Sequence, residues 1–188
     1  MEYLESTGTQ YIDVGTIVGA IAVEARLAAS SIPDSGCYKA FGVGYNVNFG
    51  DDAGINNVGW CSSTVVPLVA DELVLLRYDA NGRYVNGTNI GGNGLTFLNG
   101  AAAGKLLFLF CSSSGTRAYI TSSGNYMAWR GRIASYSVVG GDGNIRDLIS
   151  VRFTNEQGVS EGAMYDRVSG ALFRNAGTGA FTIGPDKS

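Results

Sequence analysis

Tyr126-Met127-Ala128-Trp129-Arg130-Gly131-Arg132-Ile133-Ala134-Ser135-Tyr136 and, further on, Met164-Tyr165-Asp166-Arg167-Val168-Ser169-Gly170-Ala171-Leu172-Phe173-Arg174-Asn175-Ala176-Gly177-Thr178-Gly179-Ala180-Phe181 decide the fold. Aromatic and β-branched residues recur there between Gly, Asn and Asp, so short strands follow one another with little slack. No window in this last third reads as a helix of normal length. The scaffold it predicts is β-sheet.

Working back toward the N-terminus, the pattern repeats. Ala20 to Leu27 alternates, with Ile21, Val23, Ala25 and Leu27 on one face and Glu24 and Arg26 on the other, which predicts a half-buried antiparallel strand. Phe41 to Phe49 reads as one strand, with Phe41, Val43, Tyr45, Val47 and Phe49 on one face. Gly42, Gly44, Asn46 and Asn48 fall on the other, and a face without bulk lets a backbone or a ligand approach closely. Lys105 to Cys111 is nearly all apolar and predicts a strand buried on both faces. Glu2 to Val14 reads as a strand pair around Thr7-Gly8-Thr9. Asn-Gly recurs at Asn81-Gly82, Asn86-Gly87, Asn93-Gly94 and Asn99-Gly100, each able to supply the positive φ of a tight hairpin turn. Strands at a spacing of ~8–12 residues, with no repeat of solenoid length, predict an all-β sandwich of two antiparallel sheets.

Composition sets bounds on function. A length of 188 residues with 45% hydrophobic content suits one domain over 1–188. Net charge is −3 and the cations are scattered, which argues against a nucleic-acid partner. The absence of His removes the commonest general base, the usual zinc ligand and every Ser-His or Cys-His nucleophile pair. Three cysteines, Cys37, Cys61 and Cys111, have no CxxC spacing, so buried free thiols are expected in place of a zinc site or a disulfide framework. No apolar run reaches the ~18 residues of a membrane span.

The opening Glu2-Tyr3-Leu4-Glu5-Ser6-Thr7-Gly8-Thr9-Gln10-Tyr11-Ile12-Asp13 resembles the start of laminin-G-like (concanavalin A-like) jelly-roll domains of gut bacteria and their phages. Arg83-Tyr84-Val85-Asn86-Gly87, Trp129-x-Gly131-x-Ile133, and Arg146 to Arg152 followed by Met164 to Phe173 resemble later blocks of the same domains, in the same order. The resemblance implies a jelly-roll sandwich, glycan or protein recognition on one face or at the loop rim, and calcium at the rim in some members. It also implies that Trp129 packs between the sheets, and that Trp129, Gly131, Ile133, Tyr165, Gly170 and Phe173 close the sandwich.

A glycosidase needs two carboxylates ~5–9.5 Å apart across a cleft. The glucanase relatives carry them as Glu-x-Asp-x-x-Glu on one strand, and no such run exists here. Asp166 reads as a turn-capping or Arg-paired residue. Gly-flanked Asp51, Asp52 and Asn56 offer the hard oxygen ligands that Ca²⁺ prefers, and Gly141-Asp142-Gly143-Asn144 is a poorer set. Tyr45, Asn46, Asn48, Asp51, Asp52 and Trp60 combine aromatic plates with amides and carboxylates, as a saccharide site requires, and the competing reading places Tyr45 and Trp60 in the core. The expectation is a non-catalytic recognition module that binds a glycan or host-surface molecule on a phage virion or bacterial surface, displayed as a homo-oligomer or in many copies. The alternative is a structural virion component acting through contacts with neighbouring subunits.

Overall fold

The computed structural model describes residues 1–30, 36–43, 45–51, 69–90, 105–113, 118–119 and 127–186, and no helix occurs among them. The N-terminal strands are β1 (Leu4–Thr7), β2 (Ile12–Ile17), β3 (Ala20–Ala29), β4 (Gly36–Val43) and β5 (Tyr45–Asp51). The middle supplies β6 (Val74–Asp79), β7 (Gly82–Val85), β8 (Thr88–Asn89), β9 (Lys105–Leu109), β10 (Ser112–Ser113) and β11 (Ala118–Tyr119). The last third supplies β12 (Met127–Ala128), β13 (Arg130–Gly140), β14 (Gly143–Thr154), β15 (Ser160–Asp166), β16 (Leu172–Phe173) and β17 (Thr182–Ile183).

Ten strands form one sheet in the order β16-β15-β14-β13-β3-β6-β7-β8, with β1 beside β13 and β17 beside β1. Five form a second, β12-β4-β9-β2 with β5 also against β4, and β10 and β11 make a separate small pair. Every pairing is antiparallel except β12 with β4. Inner residues of both sheets share one core, in which Ile12, Val14, Phe41, Leu107 and Leu109 meet Val23, Leu27, Leu76, Ile133, Tyr136 and Leu148. Phe41 and Tyr136 touch edge to face across it, centroids 4.8 Å apart. The fold is therefore the predicted all-β, two-sheet sandwich. Trp129 is fully buried inside it.

Strand β9 is buried on both faces, as its run of apolar residues requires: Leu107 and Leu109 enter the main core, and Phe108 joins Cys111 and Ala128 in a second cluster. It ends at Phe110, a buried residue with φ 68°, a region that bulky side chains seldom enter. Two hydrogen bonds hold that residue: its N–H donates to the Ala40 carbonyl (2.7 Å), and its carbonyl accepts from the Trp129 N–H (2.9 Å).

Three expectations need correction. First, β1 and β2 do not pair with each other; they belong to different sheets. The corner between them satisfies its own polar groups. The Gln10 Oε1 accepts from the Thr7 N–H (2.9 Å) and the Ser6 hydroxyl (3.0 Å), and the Ser6 Oγ accepts from the Gly8 N–H (3.1 Å). Second, Phe41 to Phe49 is a hairpin, with the chain reversing between Val43 and Tyr45, which lie opposite each other. Third, Ile21 points outward and is 46% exposed. Val139 lies opposite Ala22 and Gly140 opposite Ala20, so a bulge skips Ile21 and shifts the phase.

The two sequence blocks at the chain's ends form one closure. Asn175 bridges Ile12, its Oδ1 accepts from the Tyr11 N–H (3.2 Å), and the Thr178 N–H donates to the Thr9 carbonyl (3.1 Å). The chain ends lie side by side, with the Glu2 N–H on the Pro185 carbonyl (2.8 Å) and the Gly184 N–H on the Tyr3 carbonyl (3.0 Å). Gly131 sits where β13 crosses β3. A Cβ there would run into the Ala28 carbonyl oxygen, the Ala29 Cα and the Trp129 ring, so only glycine fits.

Candidate functional site

Four of the six residues expected to contact a ligand, Tyr45, Asn46, Asn48 and Asp51, fall on β5, opposite Val43, Gly42, Lys39 and Gly36. Asp52, Asn56 and Trp60 lie outside the described residues, and so do Asn93-Gly94 and Asn99-Gly100. These four positions therefore lie on one strand, paired with β4. Of the proposed calcium set the structure places only the backbone of Asp51. Gly141 and Asp142 are the two loop residues of the β13–β14 hairpin, in which Gly140 faces Gly143. Among the described residues, no three His, Cys, Asp or Glu side chains converge as metal ligands would.

Asp166 is fully buried. Its carboxylate accepts from the Asp147 N–H (2.9 Å), the Val168 N–H (3.2 Å) and the Ser169 hydroxyl (2.6 Å), with the Arg146 Nε at 3.8 Å. Burial pushes the Asp166 carboxyl upward, but the hydrogen bonds from Ser169, Asp147 and Val168, with the charge of Arg146, outweigh it and hold the group below its ordinary value. It is the keystone of the β15–β16 turn. Other arginines pair on the surface: Arg167 meets Asp147 at 2.7 Å, Arg132 lies between Glu5 and Asp71, and Arg152 meets Asp186.

The ten-stranded sheet has an outer face turned away from the core. Register places Leu172, Tyr165, Ile149, Ser135, Arg26 and Leu75 in one row across β16, β15, β14, β13, β3 and β6. The adjacent row is Asp147, Ser137, Glu24, Arg77, Tyr84 and Asn89. Tyr165 is 37% exposed, a correction to its expected role in closing the core; the inward positions of β15 are Met164 and Asp166. In the adjacent row charges are matched: Arg77 meets Asp79 at 2.8 Å and Glu24 at 3.7 Å. The hydrogen bond from Arg77 holds the Asp79 carboxyl below its ordinary value. Arg26 has no acidic partner among the described residues, and neither does Arg174, whose guanidinium lies 4.5 Å from the centroid of the Phe153 ring. Sequence reasoning passed over this face because it sorted Tyr165 by family pattern. The two-residue period that turns Met164 and Asp166 inward turns Tyr165 outward.

An all-β sandwich of this kind is a scaffold shared by many unrelated activities. In fold the chain is similar to a crystal structure of a proposed carbohydrate-binding protein from Bacteroides ovatus, with a TM-score of 0.57 and 16% sequence identity. The similarity covers 97% of this chain and 59% of that one, so this chain spans well under two thirds of that protein's length. No protein-family model and no curated protein matches the sequence.

Proposed function

We propose that this chain is a non-catalytic carbohydrate-recognition module of the laminin-G-like type, displayed on a virion or bacterial surface. The observation that carries the reading is fold similarity over nearly the whole chain to a protein proposed to bind carbohydrate. The lack of His and of paired carboxylates on one strand supports recognition over hydrolysis. In this reading Tyr45, Asn46, Asn48 and Asp51 on β5, with Asp52 and Trp60, contact the sugar. Shallow saccharide sites reach only about millimolar Kd, so display in many copies supplies the useful avidity. The test is a glycan array read with the protein tetramerised on a streptavidin-type carrier. Saturable binding that a soluble oligosaccharide competes away is expected, and a flat array overturns the reading.

A second reading, a structural subunit acting through protein contacts, is favoured by the exposed aliphatic residues Leu75, Val168 and Leu172 on or beside one sheet face. Light scattering across a concentration series tests it, and a strict monomer at every concentration would count against it.

A further inference from the structure

We propose that the outer face of the ten-stranded sheet, along the row from Tyr165 to Arg26, binds an acidic saccharide, one bearing uronate, sialate or sulfate groups. The inference rests on the carbohydrate-recognition reading and adds a ligand class and a second surface, on the sheet opposite β5. Three features converge there. Tyr165 lies between its cross-strand neighbours Ile149 and Leu172, with its hydroxyl alongside Gly170, where an added Cβ would stand 3.9 Å away. An exposed phenol on a rigid strand is the apolar plate on which a sugar ring stacks, and its hydroxyl supplies a polar tip. Ser135 and Ser137 lie half-buried in the middle of the face, where hydroxyls can exchange hydrogen bonds with a sugar.

Charge then selects among sugars. The chain carries a net charge of −3, yet Arg26 and Arg174 on this face have no acidic partner among the described residues. Arg174 directly follows β16, two residues on from Leu172, which lies opposite Tyr165, and its guanidinium reaches over Phe153. Arg26 lies in the Tyr165 row itself, three strands away, or about 14 Å at the usual strand spacing. The other cations nearby, Arg77 and Arg167, are already matched by Asp79, Glu24 and Asp147. A neutral glycan leaves Arg26 and Arg174 without a partner, whereas anionic groups spaced along an oligosaccharide match both, and guanidinium forks suit carboxylate and sulfate oxygens.

The experiment is an array of neutral, uronate-bearing, sialate-bearing and sulfated glycans, read with the tetramerised wild-type protein and with Arg26→Gln, Arg174→Gln, Tyr165→Ala and Thr16→Ala. Wild-type binding to acidic glycans is expected, weakening as salt rises. Arg26→Gln and Arg174→Gln should each weaken it about two- to fivefold, and Tyr165→Ala should weaken it by about tenfold. Thr16→Ala, at an exposed position of β2 on the other sheet, should leave acidic-glycan binding unchanged. Arg26 and Arg174 are exposed, so their variants will fold, and unaltered melting temperatures confirm this. A flat wild-type array overturns this inference together with the recognition reading. Wild-type binding restricted to neutral glycans, or acidic-glycan binding that survives Arg26→Gln and Arg174→Gln, overturns this inference alone.

Discussion

A carboxylate with no solvent contact is stable only if its lone pairs are used, and Asp166 uses them on two backbone N–H groups and a hydroxyl. Asp166→Asn replaces one acceptor oxygen with a donor facing other donors, and should cost about 2 kcal/mol in denaturant melts. Acid adds a second handle. The folded-state carboxyl lies below its unfolded value of about 3.9, so its stabilising effect is complete above that pH and lost as pH falls through the lower folded value. Melts across a pH series should show the wild type losing more stability below pH ~4 than Asp166→Asn. At the alkaline end, burial drives the Tyr78 and Tyr136 hydroxyls well above the ordinary tyrosine value. Their contribution is complete below pH ~10 and lost above it, so unfolding at high pH should release two late-titrating phenols in an ultraviolet titration. Two glycines make a contrast of a different kind. An added Cβ at Gly131 meets backbone, which cannot retreat, and Gly131→Ala should cost about 3 kcal/mol. At Gly162 it meets only the tip of the Leu4 side chain, so Gly162→Ala should cost about 1 kcal/mol and be relieved by Leu4→Val in a double-mutant cycle.

At the scale of elements, the β7–β8 hairpin is the part of the fold most legible in the sequence. Asn86 and Gly87 are its loop residues, with φ of 48° and 81°, the arrangement Asn-Gly favours. The side chain adds a hold that the pattern does not announce: Asn86 Oδ1 accepts from the Leu75 N–H at 2.8 Å. Asn86→Ala forfeits that bond and swaps a residue that tolerates left-handed backbone for one that does so less well, so a loss of about 1–2 kcal/mol in thermal melts is expected. The β4–β5 hairpin was illegible for an instructive reason. When a chain folds back between Val43 and Tyr45, residues equidistant from the reversal lie opposite each other and share a face, so the two-residue alternation runs straight through the turn. Parity cannot separate one long strand from two short ones. The β1–β2 error has the opposite cause: two apolar strands around a Gly-containing turn satisfy the hairpin rule equally well when each joins a different sheet. Only the Ser6–Gln10 network tells the cases apart, and it is a tertiary feature. For the candidate site, residue types on β5 were readable, while the outer-face row was not, since it takes register across six strands to assemble Tyr165 and Arg26.

For the molecule as a whole, the blocks that carry the family resemblance are structural. The Glu5 to Tyr11 corner and the Asn175 to Gly179 loop meet through backbone hydrogen bonds that join the first strand of one sheet to the last segment of the other. Such blocks report the architecture and leave the ligand open. The pairing of β1 with β17 has a mechanical corollary. The strands are antiparallel and the two chain ends emerge at the same end of the pair, so tension applied between them loads the hydrogen bonds one after another, as in opening a zip, and never all at once in shear. A module tethered by both ends should therefore shed its terminal strands at low force.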